Sequence, residues 1–224
     1  MKTVAILQFP GTNCDFDTQY AFEKLGCQTH IVWHKETSLP KATDLVVIAG
    51  GFSYGDYLRS GAIAKFSPIM KAVKEYAEAG GKILGICNGF QILTEAGLLE
   101  GALKRNINLH FISKFQTIRV ENNENSFLQK CKEGEILNIP IAHADGNYYI
   151  DEVGYEELEK NGQILLRYCN YRGEREVVNG SVTSIAGICN RERNIFGLMP
   201  HPERAMEKIL GSKDGVKMLE GLIQ

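Results

Sequence analysis

Gly85-Ile86-Cys87-Asn88-Gly89 sets a thiol between small residues, directly after an apolar strand-like run and directly before an apolar helical segment. That is the pattern of a nucleophile elbow with cysteine in the serine position. The sharp turn needs glycine on both sides because neighbouring backbone passes close. The start of the following helix favours thiolate over thiol. Cys87 also reads more plainly as a small apolar residue closing a core strand, the ordinary behaviour of a free cysteine. The chemical reading requires a base and an orienting partner for it. His201 in Pro200-His201-Pro202-Glu203 supplies both: the prolines hold the segment extended, so Glu203, two residues on, shares a side with the imidazole. Acyl chemistry further requires oxyanion donors. The Asn88 amide and the loop Gly50-Gly51-Phe52-Ser53 are the candidates, the loop through the amides of Gly51 or Phe52.

These residues need elements to hold them. Residues 3–9, 28–33, 44–49 and 82–86 read as strands, the third apolar throughout as in a strand covered on both faces. Helical spacing marks a segment opening at Asp15 or Asp17, then 63–79, ended by Gly80-Gly81, and 90–99. Alternating strands and helices imply an α/β fold with a mostly parallel central sheet and helices on both faces. Further on, 115–120, 135–141, 163–168, 182–188 and 195–199 read as strands with hairpin-like separators, and 214–223 as a last helix. Residues 1–224 are expected to form one domain, without repeats or linkers.

Composition narrows the function. With 25 Lys+Arg against 27 Asp+Glu the chain lacks the basic excess of a nucleic-acid reader. Its apolar runs are too short for a membrane span or a signal peptide, so a cytoplasmic protein is expected. The six cysteines form no Cys-x-x-Cys pair, which argues against disulfide and zinc frameworks. His30 and His34 have the spacing of a metal pair but no third ligand, and no metal is expected.

Gly85-Ile86-Cys87-Asn88-Gly89-Phe90-Gln91 and His201-x-Glu203, in that chain order, resemble the nucleophile and distal dyad of class I (triad) glutamine amidotransferases. Within that family, Phe9-Pro10-Gly11-Thr12-Asn13-Cys14-Asp15, the run from Gly50 to Gly61, Pro200-His201-Pro202-Glu203-Arg204 and Gly211-Ser212-Lys213-Asp214-Gly215 resemble the glutaminase subunits of phosphoribosylformylglycinamidine synthases, over essentially the whole chain. The resemblance implies hydrolysis of L-glutamine through a Cys87 thioester. Ammonia would pass to a large synthetase subunit that uses ATP and Mg and is bridged by a small third subunit, in purine biosynthesis. No cofactor is implied for this chain, which has no P-loop motif. Carried over by residue, the resemblance makes Cys87, His201 and Glu203 catalytic. It gives Gly51, Phe52 and Asn88 to the oxyanion and Gln91, His143 and Asp145 to the substrate. Here Ala142-His143-Ala144-Asp145-Gly146 departs from the His-Gly-Glu-Gly often found in related chains, and His143 reads equally as a satisfied histidine at a strand end. Two alternatives stay open: a stand-alone cysteine hydrolase or peptidase of the same fold, and a non-catalytic docking subunit.

Overall fold

The structure, a computed structural model, describes residues 1–224. Along the chain run β1 (Thr3–Gln8), α1 (Asp15–Lys24), β2 (Gln28–Trp33), β3 (Leu45–Ile48), α2 (Ile69–Glu78), β4 (Lys82–Ile86) and α3 (Asn88–Glu95). The second half contains β5 (Ala102–Lys104), β6 (Ile112–Val120), β7 (Ile136–His143), β8 (Asn147–Tyr149), α4 (Glu152–Lys160), β9 (Ile164–Tyr168), β10 (Ile185–Cys189), β11 (Ile195–Leu198) and α5 (Asp214–Leu222).

Nine strands form one sheet in the order β2-β1-β3-β4-β11-β10-β9-β6-β7, and β5 pairs with β8 outside it. From β2 to β11 neighbours are parallel, and from β11 to β7 they are antiparallel. The α/β class holds, with a sheet that is mixed: the hairpin-like second half adds an antiparallel wing to the parallel one. Helices cover both faces. A methyl group on Gly85 or Gly197, paired neighbours on one face, would run into Leu93, Phe90 and Leu99, so α3 lies there. Phe196 points to the other face, where it meets Phe127, whose backbone Gly221 of α5 approaches.

This topology decides where chemistry can occur. β1, β3, β4 and β11 run the same way, so residues 9–14, 49–53, Cys87 and His201 follow their carboxyl ends on one edge of the sheet, the usual place for a site in such folds. β7 is antiparallel to β6 and runs in the same sense, which brings His143 to that edge; the His201 amide donates to the Pro140 carbonyl at 2.8 Å.

Four expectations differ in detail. One is the segment expected to be extended over 200–203, where Pro202–Arg204 form a 3₁₀ turn. The helix over 63–79 is confined to 69–78, preceded by a short 3₁₀ turn at 64–66. Pro68 forces Ser67 into extended backbone (φ −64°, ψ 143°) and so divides the segment. The helix expected over 90–99 ends at Glu95, with Gly97 left-handed (φ +70°). In the strand expected over 182–188, residues 182–184 turn in a 3₁₀ segment before β10.

Gly89 packs directly on the carbonyl oxygen of Ile48, which a methyl group at that position would overlap. Helix propensity alone makes Gly89→Ala stabilising by ~1 kcal/mol. The contact reverses the sign, and the variant is expected to lose ~1–3 kcal/mol in urea unfolding. A rise in stability would mean that α3 does not seat on β3 as described.

Candidate active site

Cys87 has φ +52° and ψ −105°, between β4 and α3. A side chain avoids this region unless its surroundings impose it. Here the Cys87 amide donates to the Leu198 carbonyl (2.8 Å) and its own carbonyl accepts from the Gln91 amide (3.2 Å), tying the turn to β11 and to the helix it opens. The Sγ faces a cavity of about 150 Å³ lined by Cys14, Gly51, Phe52, His201 and Arg204 among others.

His201 and Glu203 are both buried, and His201 Nδ1 meets Glu203 Oε1 at 2.6 Å. Burial by itself would lower the imidazole pKa. The charges of Glu203 and Cys87 and contacts with the Cys14 and Cys87 thiols outweigh it, holding the value well above the ordinary one. Nε2 is buried with no hydrogen-bond partner, on the side opposite the carboxylate. The nucleophile and dyad singled out in the sequence therefore meet, from residues more than a hundred positions apart.

The oxyanion expectation needs one correction. The Phe52 amide donates to the Gly11 carbonyl at 2.9 Å, so it is already engaged. The Gly51 amide makes no backbone hydrogen bond, and its φ of +146° brings it so near Thr12 and Asn13 that only glycine fits. Asn88 opens α3, so its N–H has no acceptor within the helix. Gly51 and Asn88 remain as the candidate pair of donors.

Of the three expected substrate residues, Gln91 and Asp145 are hydrogen-bonded to each other, His143 is held separately by Asn106, and none of them lines the cavity with Cys87. Asn88 accepts from the Ser53 amide (3.0 Å) and donates to Gln91 Oε1 (2.8 Å), and Gln91 Nε2 donates to the Asp145 carbonyl (2.7 Å). Asp145 accepts from Ser60 Oγ at 2.9 Å and faces Arg105 at 3.8 Å. His143 Nδ1 pairs with Asn106 Oδ1 (3.1 Å) while Nε2 is buried without a partner. Burial, with the charge on His201, lowers His143 to about 4, so it is neutral where His201 is charged. His34, half of the unsupported metal pair, is engaged by the Tyr54 hydroxyl at 2.8 Å.

Sequence reasoning missed Cys14 and Arg204 as members of this cavity. Arg204 Nη2 donates to Cys14 Sγ (3.1 Å), and Arg204 Nε pairs with Asp17 (3.0 Å). The adjacency of Arg204 to His201-x-Glu203 was a usable signal; nothing local marked Cys14. Also missed was Asp56, left-handed at φ +55°, with one carboxylate oxygen buried and unpaired.

Burial and the nearby charge of Asp145 raise the Asp56 carboxyl to about 6, against the lowering effect of Ser60. The folded chain thus holds a proton that the unfolded chain releases near pH ~4. Stability from this group is complete below about pH 4 and is lost as pH rises through about 6. In urea unfolding, the stability of Asp56→Asn relative to wild type is expected to increase from about pH 5 to about pH 7.5. A difference that does not change with pH would contradict the raised Asp56 carboxyl.

Comparison with known proteins agrees with this geometry. Residues 1–216 match the family of the CobB/CobQ-like glutamine amidotransferase domain. The phosphoribosylformylglycinamidine synthase subunit PurQ of Sulfurimonas denitrificans is 66% identical over 221 residues, covering 99% of each chain. The solved PurLQS structure from Thermotoga maritima contains a chain 42% identical with a TM-score of 0.88, covering 99% of this chain and 97% of that one. A glutamine amidotransferase from the same organism, 16% identical with a TM-score of 0.64 over 99% of this chain and 96% of its own, shares the fold. The chain therefore belongs to the CobB/CobQ-like glutamine amidotransferase family, in the branch formed by the PurQ subunits of phosphoribosylformylglycinamidine synthase.

Proposed function

We propose that the chain, acting as one amidotransferase domain over residues 1–224, hydrolyses L-glutamine to glutamate and ammonia. The ammonia serves a large synthetase subunit that converts formylglycinamide ribonucleotide to its amidine, with a small bridging subunit completing the complex. The observation that carries the reading is Cys87 on its strained elbow, sharing a buried cavity with an imidazole whose far nitrogen is held by Glu203.

The Cys87 thiolate attacks the carboxamide carbon of glutamine. Negative charge then develops on the carboxamide oxygen, which the Gly51 and Asn88 amides stabilise. His201 Nε2–H gives its proton to the departing ammonia, leaving a γ-glutamyl thioester on Cys87. The neutral imidazole next takes a proton from water, which attacks the thioester and releases glutamate. Glu203 keeps the proton-carrying edge of His201 toward Cys87 throughout and stabilises the imidazolium. The Asp145 carboxylate suits the α-ammonium group of glutamine, and Gln91 is held against Asp145 and Asn88 for a substrate contact. His143, kept neutral, offers a hydrogen-bonding edge without competing for the proton.

ATP and Mg are used by the synthetase partner and not by this chain. The six cysteines are all free and buried, and no helix is long and apolar enough to cross a membrane, which suits a reducing cytoplasmic setting. A cavity of about 150 Å³ favours a small amide over the extended chain a peptidase must hold. The intact His201–Glu203 pair favours catalysis over docking alone.

In the assembled complex, Cys87→Ala is expected to lower glutamine-dependent amidine formation by ~10³-fold or more while ammonium salts still support the reaction. Glu203→Gln is expected to lower the glutamine reaction by ~10²-fold or more by the same assay. Glutamine-dependent synthesis that survives Cys87→Ala, or equal loss with ammonia, would overturn the assignment.

A further inference from the structure

Cys14 has no part in the mechanism above, yet it is buried and lines the same cavity as the nucleophile. Its Sγ, a ring nitrogen of His201 and a carboxylate oxygen of Glu203 all lie within 4.8 Å of one another. Arg204 Nη2 donates to the same sulfur at 3.1 Å, and Arg204 Nε is held by Asp17 at 3.0 Å. One thiol thus touches both a guanidinium and the catalytic dyad.

The backbone fixes the sulfur in that place. The Cys14 amide donates to the Gly50 carbonyl at 3.1 Å, and the Cys14 carbonyl accepts from both the amide and the hydroxyl of Thr18. The thiol donates to Asn13 Oδ1 at 3.2 Å, which leaves the lone pairs of the sulfur for its other neighbours. Gly50 completes the arrangement. A methyl carbon there would lie 2.9 Å from His201 Cε1 and 3.1 Å from Cys14 Sγ, so the ring edge and the sulfur share space that a side chain would fill.

We propose that Cys14 is a positioning residue for His201: its sulfur receives the Arg204 guanidinium and bears on the His201–Glu203 pair, holding the imidazole in register with Cys87. The proposal rests on the reading of His201 as the proton carrier for Cys87. Sulfur suits the place because it is a large, soft acceptor that brings no charge of its own. Burial pushes the Cys14 thiol up, against the lowering effects of His201 and Arg204, so it stays protonated and does not rival Cys87 as a nucleophile. The groups facing His201 are then Glu203, Cys87 and Cys14, which favour its charged form, and His143, which is neutral. Truncation at Cys14 removes one of those favouring contacts and leaves Arg204 Nη2 without this acceptor.

The test compares wild type, Cys14→Ala and Cys14→Ser in two measurements. The first is an NMR titration of the His201 ring in the full chain, assigned by its loss in His201→Asn, and it needs no substrate. Cys14→Ala is expected to move the midpoint at least ~0.5 pH unit lower, about the worth of one hydrogen bond, while Cys14→Ser, which keeps an acceptor for Arg204, moves it by less than half as much. The second is glutamine-dependent amidine formation in the assembled complex. There Cys14→Ala should lower kcat ~10-fold or more with KM changed less than ~2-fold, the alkaline limb of the rate profile should move to lower pH, and Cys14→Ser should recover most of the rate. Cys14→Val, which fills the volume without an acceptor, is expected to behave as Cys14→Ala and replaces it if that variant does not fold. An unmoved His201 midpoint, an unchanged kcat, or a serine variant as impaired as the alanine one would each overturn the proposal. A wild-type complex inactive with glutamine would overturn the glutaminase reading instead, and the titration would still decide whether Cys14 bears on His201.

Discussion

Everything at the active edge depends on one backbone constraint, the left-handed Cys87 turn between β4 and α3. Such a conformation costs ~1–3 kcal/mol and persists only where the surroundings over-determine it. Here they do so from three directions. The Leu198 carbonyl fixes the Cys87 amide, Gly89 lies flat on the Ile48 carbonyl, and Gly85 and Gly197 leave room for Leu93 and Phe90 of α3. A larger residue at any of these glycines would move the helix, and with it the sulfur. The parallel order β3-β4-β11 is what makes those three supports adjacent.

The same order sets the electrostatics. β11 is paired with β4, so the chain leaving it delivers His201 beside Cys87, and the 3₁₀ turn over Pro202–Arg204 keeps Glu203 at the far ring nitrogen. Burial would ordinarily deprotonate such an imidazole, and it does so for His143, which has only an amide partner. His201 keeps its proton because Glu203 and the neighbouring Cys87 outweigh the effect of burial. Asn88 then links the elbow to the glycine loop through Ser53 and to the Asp145 segment through Gln91, so Cys87, the glycine loop and the Asp145 segment share one frame.

How much of this was legible depends on how local each feature is. The His-x-Glu dyad was expected from extended two-residue alternation, whereas residues 202–204 turn in a 3₁₀ segment, and it is that turn which brings Glu203 to His201. The elbow could be read because turn chemistry acts within a few positions. The strands of the first half were legible for the same reason, as short apolar runs bounded by glycine and proline. The short pair β5 and β8 and helix α4 were not, since three-residue strands carry too little pattern and α4 buries little beyond Leu158. Cys14 and Arg204 entered the cavity unannounced because their meeting depends on the order of β1, β3, β4 and β11 across the sheet. The choice between the Gly51 and Phe52 amides was not legible, because which of two adjacent loop amides is left free depends on the Gly11 carbonyl opposite.

The central claim is that the strained thiol at Cys87 is the nucleophile for glutamine. Its most direct test is mass spectrometry of the protein, alone and with its synthetase partner, after exposure to the glutamine analogue 6-diazo-5-oxo-norleucine. The account predicts a single adduct on Cys87, absent from Cys87→Ala and formed faster in the complex. An adduct on Cys14 in place of Cys87, or none in either state, would contradict it.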